Sequence, residues 1–189
     1  MNILQNMLVI DEGIELTPYK CTANKWTIGV GRNLSDKGLT LDEVMYITGA
    51  LSDRQVRVTV DTRIGNPIVC AHVNNDIFIE QITEDQAMYL LHNDTVDACA
   101  DLREVLGSHI LPIEINNPRH MALISMMFNL GRGRFRGFRK MILAIENGDW
   151  EEAAEQAKDS NWYDQVGHRS KRIVHMLRTG DLHPDYSMT

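Results

Sequence analysis

The sequence lacks several features that mark common protein classes. It contains no run of about 18 apolar residues, so no segment is expected to span a membrane. It has no His-Glu-x-x-His pattern, glycine-rich phosphate loop or calcium loop, so we expect no metal ion, nucleotide or other cofactor. The opening stretch, MNILQNMLVIDEG, has neither a basic region nor a small-residue cleavage site, so no secretory signal is expected.

Cysteine is also scarce, with three in 189 residues: Cys21, Cys70 and Cys99. An odd number without metal-ligand spacing favours free thiols in a reducing compartment. There are no internal repeats or low-complexity tracts, and the hydrophobic content of 43% and charged content of 24% are those of an ordinary globular protein. We therefore expect one compact unit or two small lobes.

Acidic residues outnumber basic ones, and the net charge is −7. This balance argues against a general nucleic-acid or membrane-surface binder. Two segments nevertheless carry only basic charges: residues 132–140 contain four arginines and a lysine, and residues 168–178 contain three arginines and a lysine. Two interpretations remain open, namely solvated helix faces or a local surface that binds an anionic polymer.

Helices are predicted where apolar residues recur at helical spacing between capping residues. Two helix N-termini carry a capping-box pattern, formed by Thr40 with Glu43 and by Thr83 with Gln86. Asn117, which precedes a proline, marks the N-terminus of a third helix. The predicted helices span residues 2–12, 40–51, 83–106, 117–131, 135–146, 149–159 and 169–179.

Stretches rich in β-branched and aromatic residues predict short strands. Residues 17–21 and 25–30 read as a hairpin around the turn residues 22–24. Further strands are predicted at residues 56–60, 68–73 and 77–79.

The segment Ile10–Asn33, IDEGIELTPYKCTANKWTIGVGRN, contains Glu12, then eight residues, Cys21, five residues and Thr27. This order resembles the signature of the T-even-phage-type lysozymes (glycoside hydrolase family 24), in which Asp or Cys occupies the middle position. The stretches ITEDQAMYLLHNDTVDA, GFRKMILAIENGDWEEAA, SNWYDQVGHRSKRI and RTGD match the same family in order and spacing. The resemblance is weak over residues 34–80.

The resemblance implies an α+β, mainly α-helical, lysozyme-like fold with two lobes. A small β-containing lobe would cover about residues 13–82, with an enlarged segment at 34–80. A long helix over about 83–106 would connect it to a helical lobe of residues 107–189 plus the N-terminal helix 2–12.

The same resemblance implies a muramidase that hydrolyses the β-1,4 bond between N-acetylmuramic acid and N-acetylglucosamine in bacterial peptidoglycan and thereby lyses the host cell. Its partner would be peptidoglycan, with no nucleic acid and no stable membrane insertion. We expect a monomer that stays in the host cytoplasm until a holin releases it to the wall.

The family pattern also implies roles for the three signature residues. Glu12 would be the general acid, and Cys21 with Thr27 would hold the attacking water, which gives inversion at the sugar carbon. Most familiar members have Asp where this chain has Cys21. Whether Cys21 acts through water or as a covalent nucleophile stays open.

Four further residues match substrate-binding positions of the family: Asn33, Phe128, Gln156 and Arg169. The chain departs from the usual residues at Asn33 and Gln156, and a core role for Phe128 stays open. Arg169 matches the position that pairs with Glu12. A nearby guanidinium would lower the pKa of Glu12, so either burial outweighs it in the substrate complex or the pH optimum is acidic.

Two other classes of protein remain as alternatives. A cysteine-dependent wall amidase or peptidase would require a histidine beside Cys21, and no histidine lies in a recognisable context for that chemistry. A non-catalytic wall-binding module would account for the basic segments without any reaction.

Overall fold

The computed structural model describes residues 2–49, 57–62, 67–72, 76–107 and 112–187. Over these residues the chain forms eight α-helices: α1 (Ile3–Glu12), α2 (Leu41–Thr48), α3 (Glu84–Leu106), α4 (Pro118–Phe135), α5 (Arg139–Glu146), α6 (Trp150–Lys158), α7 (Asn161–Gln165) and α8 (His168–Thr179). The described strands are β1 (Glu15–Lys20), β2 (Trp26–Gly29), β3 (Arg32–Asn33), β4 (Arg57–Asp61), β5 (Ile68–His72) and β6 (Asp76–Ile79). The mainly helical α+β prediction is confirmed. No helix among the described residues combines the length and apolarity needed to cross a bilayer.

The chain divides into two compact units. The continuous unit, Glu12–Asn93, contains both sheets and α2. The discontinuous unit consists of Met1–Asp11 and Asp94–Thr189, and it contains most of α1 and all of α4 to α8. Helix α3 begins in the continuous unit and ends in the discontinuous one.

The first sheet has the strand order β1-β2-β3 and is antiparallel throughout. It confirms the predicted hairpin, although β1 ends at Lys20 and Cys21 therefore follows the strand. The Cys21 amide still donates to the Lys25 carbonyl at 3.0 Å, so the pairing of the two arms continues into the turn. Asn24 has a φ of 58°, a left-handed conformation that asparagine tolerates better than most residues.

The second sheet, β4-β5-β6, is an antiparallel meander within the segment that departs from the resembled family. It confirms the three short strands, except that the predicted positions 56 and 73 lie outside the described residues. Val69, Ala71 and Ile79 of this sheet are buried in one hydrophobic cluster with Ile28 of β2 and Leu90 of α3. The enlarged segment therefore completes the core of the continuous unit.

Strand β2 ends against α3 at a glycine. Gly29 has a φ of +65°, and a Cβ added there would lie 3.4 Å from the Cβ of Ala87. A side chain at this position would be strained by the backbone conformation.

The predicted helix ends need two corrections. Helix α2 ends at Thr48, because Gly49 adopts the left-handed conformation, rather than at about residue 51, which is outside the described residues. The predicted end at Gly131 is confirmed by its non-helical conformation (φ 70°, ψ 161°), but one more helical turn, included here in α4, follows as far as Phe135, and α5 begins only at Arg139. Phe135 is fully buried in the last turn of α4, and its apolar character alone does not distinguish that turn from the start of the next helix.

Among the described elements, α7 and the one-turn 3-10 helix at Pro184–Tyr186, called the 3-10 turn below, were not predicted from the sequence. Both are too short to show helical periodicity, since α7 has five residues and the turn three. The signal for α7 was its N-cap, because the Ser160 side chain accepts a hydrogen bond from the Tyr163 amide.

A buried ionic network lies within the discontinuous unit. The Asp11 side chain is fully buried, and Arg172 Nη2 donates to Asp11 Oδ1 at 2.5 Å. The Tyr186 hydroxyl lies 2.8 Å from Asp11 Oδ2, to which it donates. Burial and the negative charge of Asp11 raise the pKa of Tyr186, so this phenol stays protonated and remains a donor. The network joins α1, α8 and the 3-10 turn.

Candidate active site

The three predicted catalytic residues all belong to the continuous unit. Glu12 is the last residue of α1 and is half-buried. The helix ends there because Gly13, with a φ of +75°, takes the left-handed conformation that closes helices. Cys21 follows β1 and is partly exposed, whereas Thr27 lies in β2 with 3% of its surface exposed. The hairpin thus carries two of the three residues.

The structure brings Cys21 and Thr27 into contact. Burial disfavours ionisation of the Cys21 thiol, but it is outweighed by hydrogen bonds with backbone groups of Lys25 and Ala23 and with the Thr27 side chain. The net effect lowers the pKa of Cys21. A lowered pKa means that more of Cys21 is present as the thiolate, which is the form that can accept a proton.

The Thr27 hydroxyl has a single proton and two neighbouring acceptors. It donates to the Lys25 carbonyl at 3.1 Å, and it also makes a hydrogen bond with the sulfur of Cys21. One proton cannot serve both acceptors fully at once. We therefore expect the hydroxyl to favour Lys25 when Cys21 is a thiol and to turn to the sulfur when Cys21 is ionised.

Tyr19 is a member of this cluster that sequence reasoning missed. It lies opposite Thr27 in the β1–β2 register and two residues before Cys21. Burial, and then the charges of Glu12 and Cys21, raise the pKa of Tyr19, so both reactive groups lie within electrostatic range of its hydroxyl. The signal in the sequence was the two-residue spacing from Cys21, which places alternate strand residues on one face.

Asn33 also lies in the first sheet, where it pairs with Thr27. Its amide is occupied within its own turn: Nδ2 donates to Asp36 Oδ2 at 2.9 Å, and Oδ1 accepts from the Asp36 amide at 3.0 Å. A role for Asn33 in binding substrate stays a prediction.

The other three predicted substrate-binding residues belong to the discontinuous unit. Phe128 is half-buried in α4, directly after the fully buried run 121–127. Arg169 is 5% exposed and donates to the carbonyl and hydroxyl of Ser125 at 3.0 and 2.9 Å. Its Nε also lies 3.4 Å from Asp11. The predicted pairing of Arg169 with Glu12 stays a prediction.

Gln156 lies on α6, where its Nε2 donates to Glu152 at 2.9 Å. It also lines a cleft of about 590 Å³ within the discontinuous unit. Arg134, Arg139 and Lys140 of the first basic segment line the same cleft.

Many of the remaining cations of the two basic segments form ion pairs. Arg132 and Arg136 both donate to Glu104, and Arg178 donates to Glu151 and Glu155. These pairs agree with the solvated-face interpretation for part of each segment. In the parts of the chain that the structure describes, no group of three or more His, Cys, Asp or Glu side chains is placed to hold a metal ion.

Comparison with known proteins identifies the family. The sequence profile of the phage lysozyme family matches residues 10–177. The chain is 27% identical over 180 residues to Probable T4-type lysozyme 1 of Dictyostelium discoideum, and 28% identical over 179 residues to Probable T4-type lysozyme 2, with 95% of each chain covered in both cases. It is 30% identical over 181 residues to the pre-baseplate central spike protein Gp5 of Enterobacteria phage T4, a match that covers 95% of this chain and 28% of that protein. Because the family match extends from the end of α1 into α8, the chain belongs to the phage lysozyme family and is a glycoside hydrolase of the lysozyme type.

Proposed function

We propose that the protein is a muramidase that hydrolyses the β-1,4 bond between N-acetylmuramic acid and N-acetylglucosamine in bacterial peptidoglycan. The observation that carries the proposal is the cluster of Glu12, Tyr19, Cys21 and Thr27 in the continuous unit of a phage lysozyme family member. A carboxylic acid and a water-holding group are the two parts that glycoside hydrolysis requires.

In the proposed mechanism, Glu12 donates its proton to the glycosidic oxygen as the bond from that oxygen to the sugar carbon breaks. A water held by Cys21 and Thr27 attacks the same carbon from the opposite face and gives its proton to the Cys21 thiolate. The lowered pKa of Cys21 supports this role, because a thiolate accepts a proton whereas a thiol does not. Direct displacement inverts the configuration of the sugar carbon.

We propose that Asn33, Phe128, Gln156 and Arg169 contact the substrate. Biologically, the enzyme would lyse the host cell as a monomer, after a holin gives it access from the cytoplasm to the wall.

Purified peptidoglycan provides the test of this function. We expect new reducing ends without new amino groups, and an initial α-anomer in proton NMR spectra recorded before mutarotation. New amino groups would instead indicate an amidase or peptidase, and adsorption without either product would indicate a wall-binding module. An initial β-anomer would show net retention and would rule out the water-holding role of Cys21.

Substitutions at Cys21 test its role directly. Cys21→Asp should keep substantial activity, because a carboxylate also accepts a proton. Cys21→Ala should lower kcat by ~10²-fold or more, and Cys21→Ser should also be poor because a hydroxyl is far harder to ionise than a thiol. Initial rates of reducing-end formation measure all three, with Cys99→Ala as the matched control. Full activity in Cys21→Ala would remove this residue from the mechanism.

The two thiols also differ in their expected reactivity with iodoacetamide. Burial raises the pKa of Cys99, whereas the pKa of Cys21 is lowered. Alkylation should therefore occur first at Cys21, and its progress should parallel the loss of activity.

A further inference from the structure

Two aromatic side chains line the cleft in the discontinuous unit. The cleft is formed by the end of α4, the turn that follows, the first turn of α5, and the junction of α6 with α7. Phe138 and Trp162 meet edge to face there, with ring centroids 6.2 Å apart. Trp162 is 4% exposed, and its indole nitrogen donates to Asn129 at 3.0 Å. A volume of about 590 Å³ is in the range that proteins use for small-molecule-sized ligands.

The cleft carries an excess of positive charge. Arg134, Arg139 and Lys140 line it and are exposed, and Asp159 is the acid among the lining residues, so two positive charges remain in excess. None of the three cations has a carboxylate within ion-pair distance among the described residues. These cations therefore lack acidic partners even though acidic side chains outnumber basic ones in the protein.

The neighbouring arginines of the same segment behave differently. Arg132 and Arg136 both donate to Glu104, which is about half exposed. The basic segment therefore has two parts. Arg132 and Arg136 form ion pairs with Glu104 of α3, whereas the three cations that line the cleft are available to a ligand.

Helix α5 starts in the cleft and adds to its positive potential. Its N-cap residue, Phe138, makes no side-chain capping bond, and its first turn contains no acid. The backbone N–H groups of a first helical turn have no intrahelical partner, and they point out of the helix N-terminus. They give that end a partial positive charge, which favours an anion.

We propose that this cleft binds phosphate groups of a phosphodiester-linked polyol polymer attached to the bacterial wall, and so holds the enzyme on its substrate independently of cleavage. Arginine guanidinium groups match the geometry of phosphate oxygens, and lysine adds a mobile point charge. The charge excess suits more than one phosphate, and the volume is large enough for the polyol between them. Asn161 and the Phe138 ring offer the polyol a polar and an apolar contact. The inference rests on the proposed function only in placing the enzyme at the wall.

The test uses two variants with the same net charge. The cleft variant combines Arg134→Gln, Arg139→Gln and Lys140→Gln, and the control variant combines Arg132→Gln, Arg136→Gln and Lys171→Gln. Binding of short poly(glycerol phosphate) is measured by titration calorimetry at low and high salt. We expect the cleft variant to bind at least about tenfold more weakly with a flatter salt dependence, and the control variant to stay within about threefold of wild type. Thermal melts establish that both variants are folded.

Several outcomes would overturn the proposal. Equal weakening in both variants would show that overall charge, and not the cleft, attracts the polymer. Tighter binding of a soluble wall peptide with free carboxylates, or of a short single-stranded DNA, would show that the cleft is not built for this polymer. Because the probe contains no glycosidic bond, a failure of the proposed muramidase mechanism would leave these affinities unchanged. A failure of the cleft proposal would likewise leave hydrolysis of polymer-stripped walls intact.

Discussion

Replacing Glu12 with glutamine is expected to reduce the rate of peptidoglycan hydrolysis by ~10²–10⁴-fold, the usual cost of losing a general acid. Glutamine keeps the size and polarity of the side chain but has no proton to donate to the glycosidic oxygen. Glu12 is half-buried at the end of α1.

The matched control for this variant is Glu80→Gln, since Glu80 is an exposed glutamate of the same unit. It should retain the wild-type rate. Initial rates of reducing-end formation are compared at equal protein concentration, with circular dichroism to establish that each variant is folded. A folded Glu12→Gln enzyme with a near wild-type rate would exclude Glu12 as the acid.

The largest expected effect on stability comes from Glu43. Arg32 Nη1 and Nη2 donate to its two oxygens at 2.7 Å each, and both side chains are 2% exposed or less. Asn93 Nδ2 and the Thr40 amide donate to the same carboxylate at 2.9 and 2.8 Å. Breaking a buried pair by removing one charge typically costs about 3–5 kcal/mol, because the other charge remains desolvated. We expect Glu43→Gln to lower the free energy of unfolding of the continuous unit by about this amount.

Urea denaturation followed by circular dichroism measures the effect, and Glu104→Gln is the matched control. Glu104 also accepts from arginines but is 52% exposed, so its loss should cost no more than about 1 kcal/mol. Similar costs for the two variants would contradict the importance of burial for the Arg32–Glu43 pair.

The stability difference between wild type and Glu43→Gln should depend on pH. Burial alone would raise the pKa of Glu43, but hydrogen bonds from Arg32, Asn93 and the Thr40 backbone lower it from 4.5 to about 2. A carboxylate whose pKa is depressed on folding contributes its full stability above the unfolded value and loses it as the pH falls through the folded one. The difference should therefore be largest near neutral pH and should shrink between pH 4.5 and about 2.

Most helices and strands of this fold were predicted from the sequence, because caps, turns and helix ends depend on residues that are close together in the chain. The capping boxes at Thr40 and Thr83 are formed as expected, with reciprocal side-chain and backbone bonds. The Asn117 cap is formed as well. The turns and glycine-ended helices follow from backbone conformations that few other residues adopt. The extent of α4 beyond Gly131 was not predicted, since it depends on the burial of Phe135 in the core of the discontinuous unit.

Side-chain partners could not be predicted in the same way. Asp11 and Arg172 are 161 residues apart, and nothing in the local sequence of either indicates the other. The local sequence likewise does not indicate that Arg132 pairs with Glu104. This pairing distinguishes Arg132 from the cations of residues 132–140 that line the cleft. The proposed catalytic residues Glu12, Cys21 and Thr27 were chosen from a family signature, whereas the link from Tyr19 to Glu12 and Cys21 emerged from the strand register and the electrostatics of the site.

The discontinuous unit has a consequence for synthesis on the ribosome. Residues 12–93 form a contiguous stretch, so this unit can fold as soon as it has emerged. Helix α1 is made earlier but belongs with residues that come later, and Tyr186 follows Asp11 by 175 positions. At about 5–20 residues per second, α1 waits on the order of ten seconds or more for these partners. During that interval Leu4, Met7 and Leu8, which are buried in the folded protein, lack the partners that bury them, so α1 presents an apolar face to which a chaperone can bind.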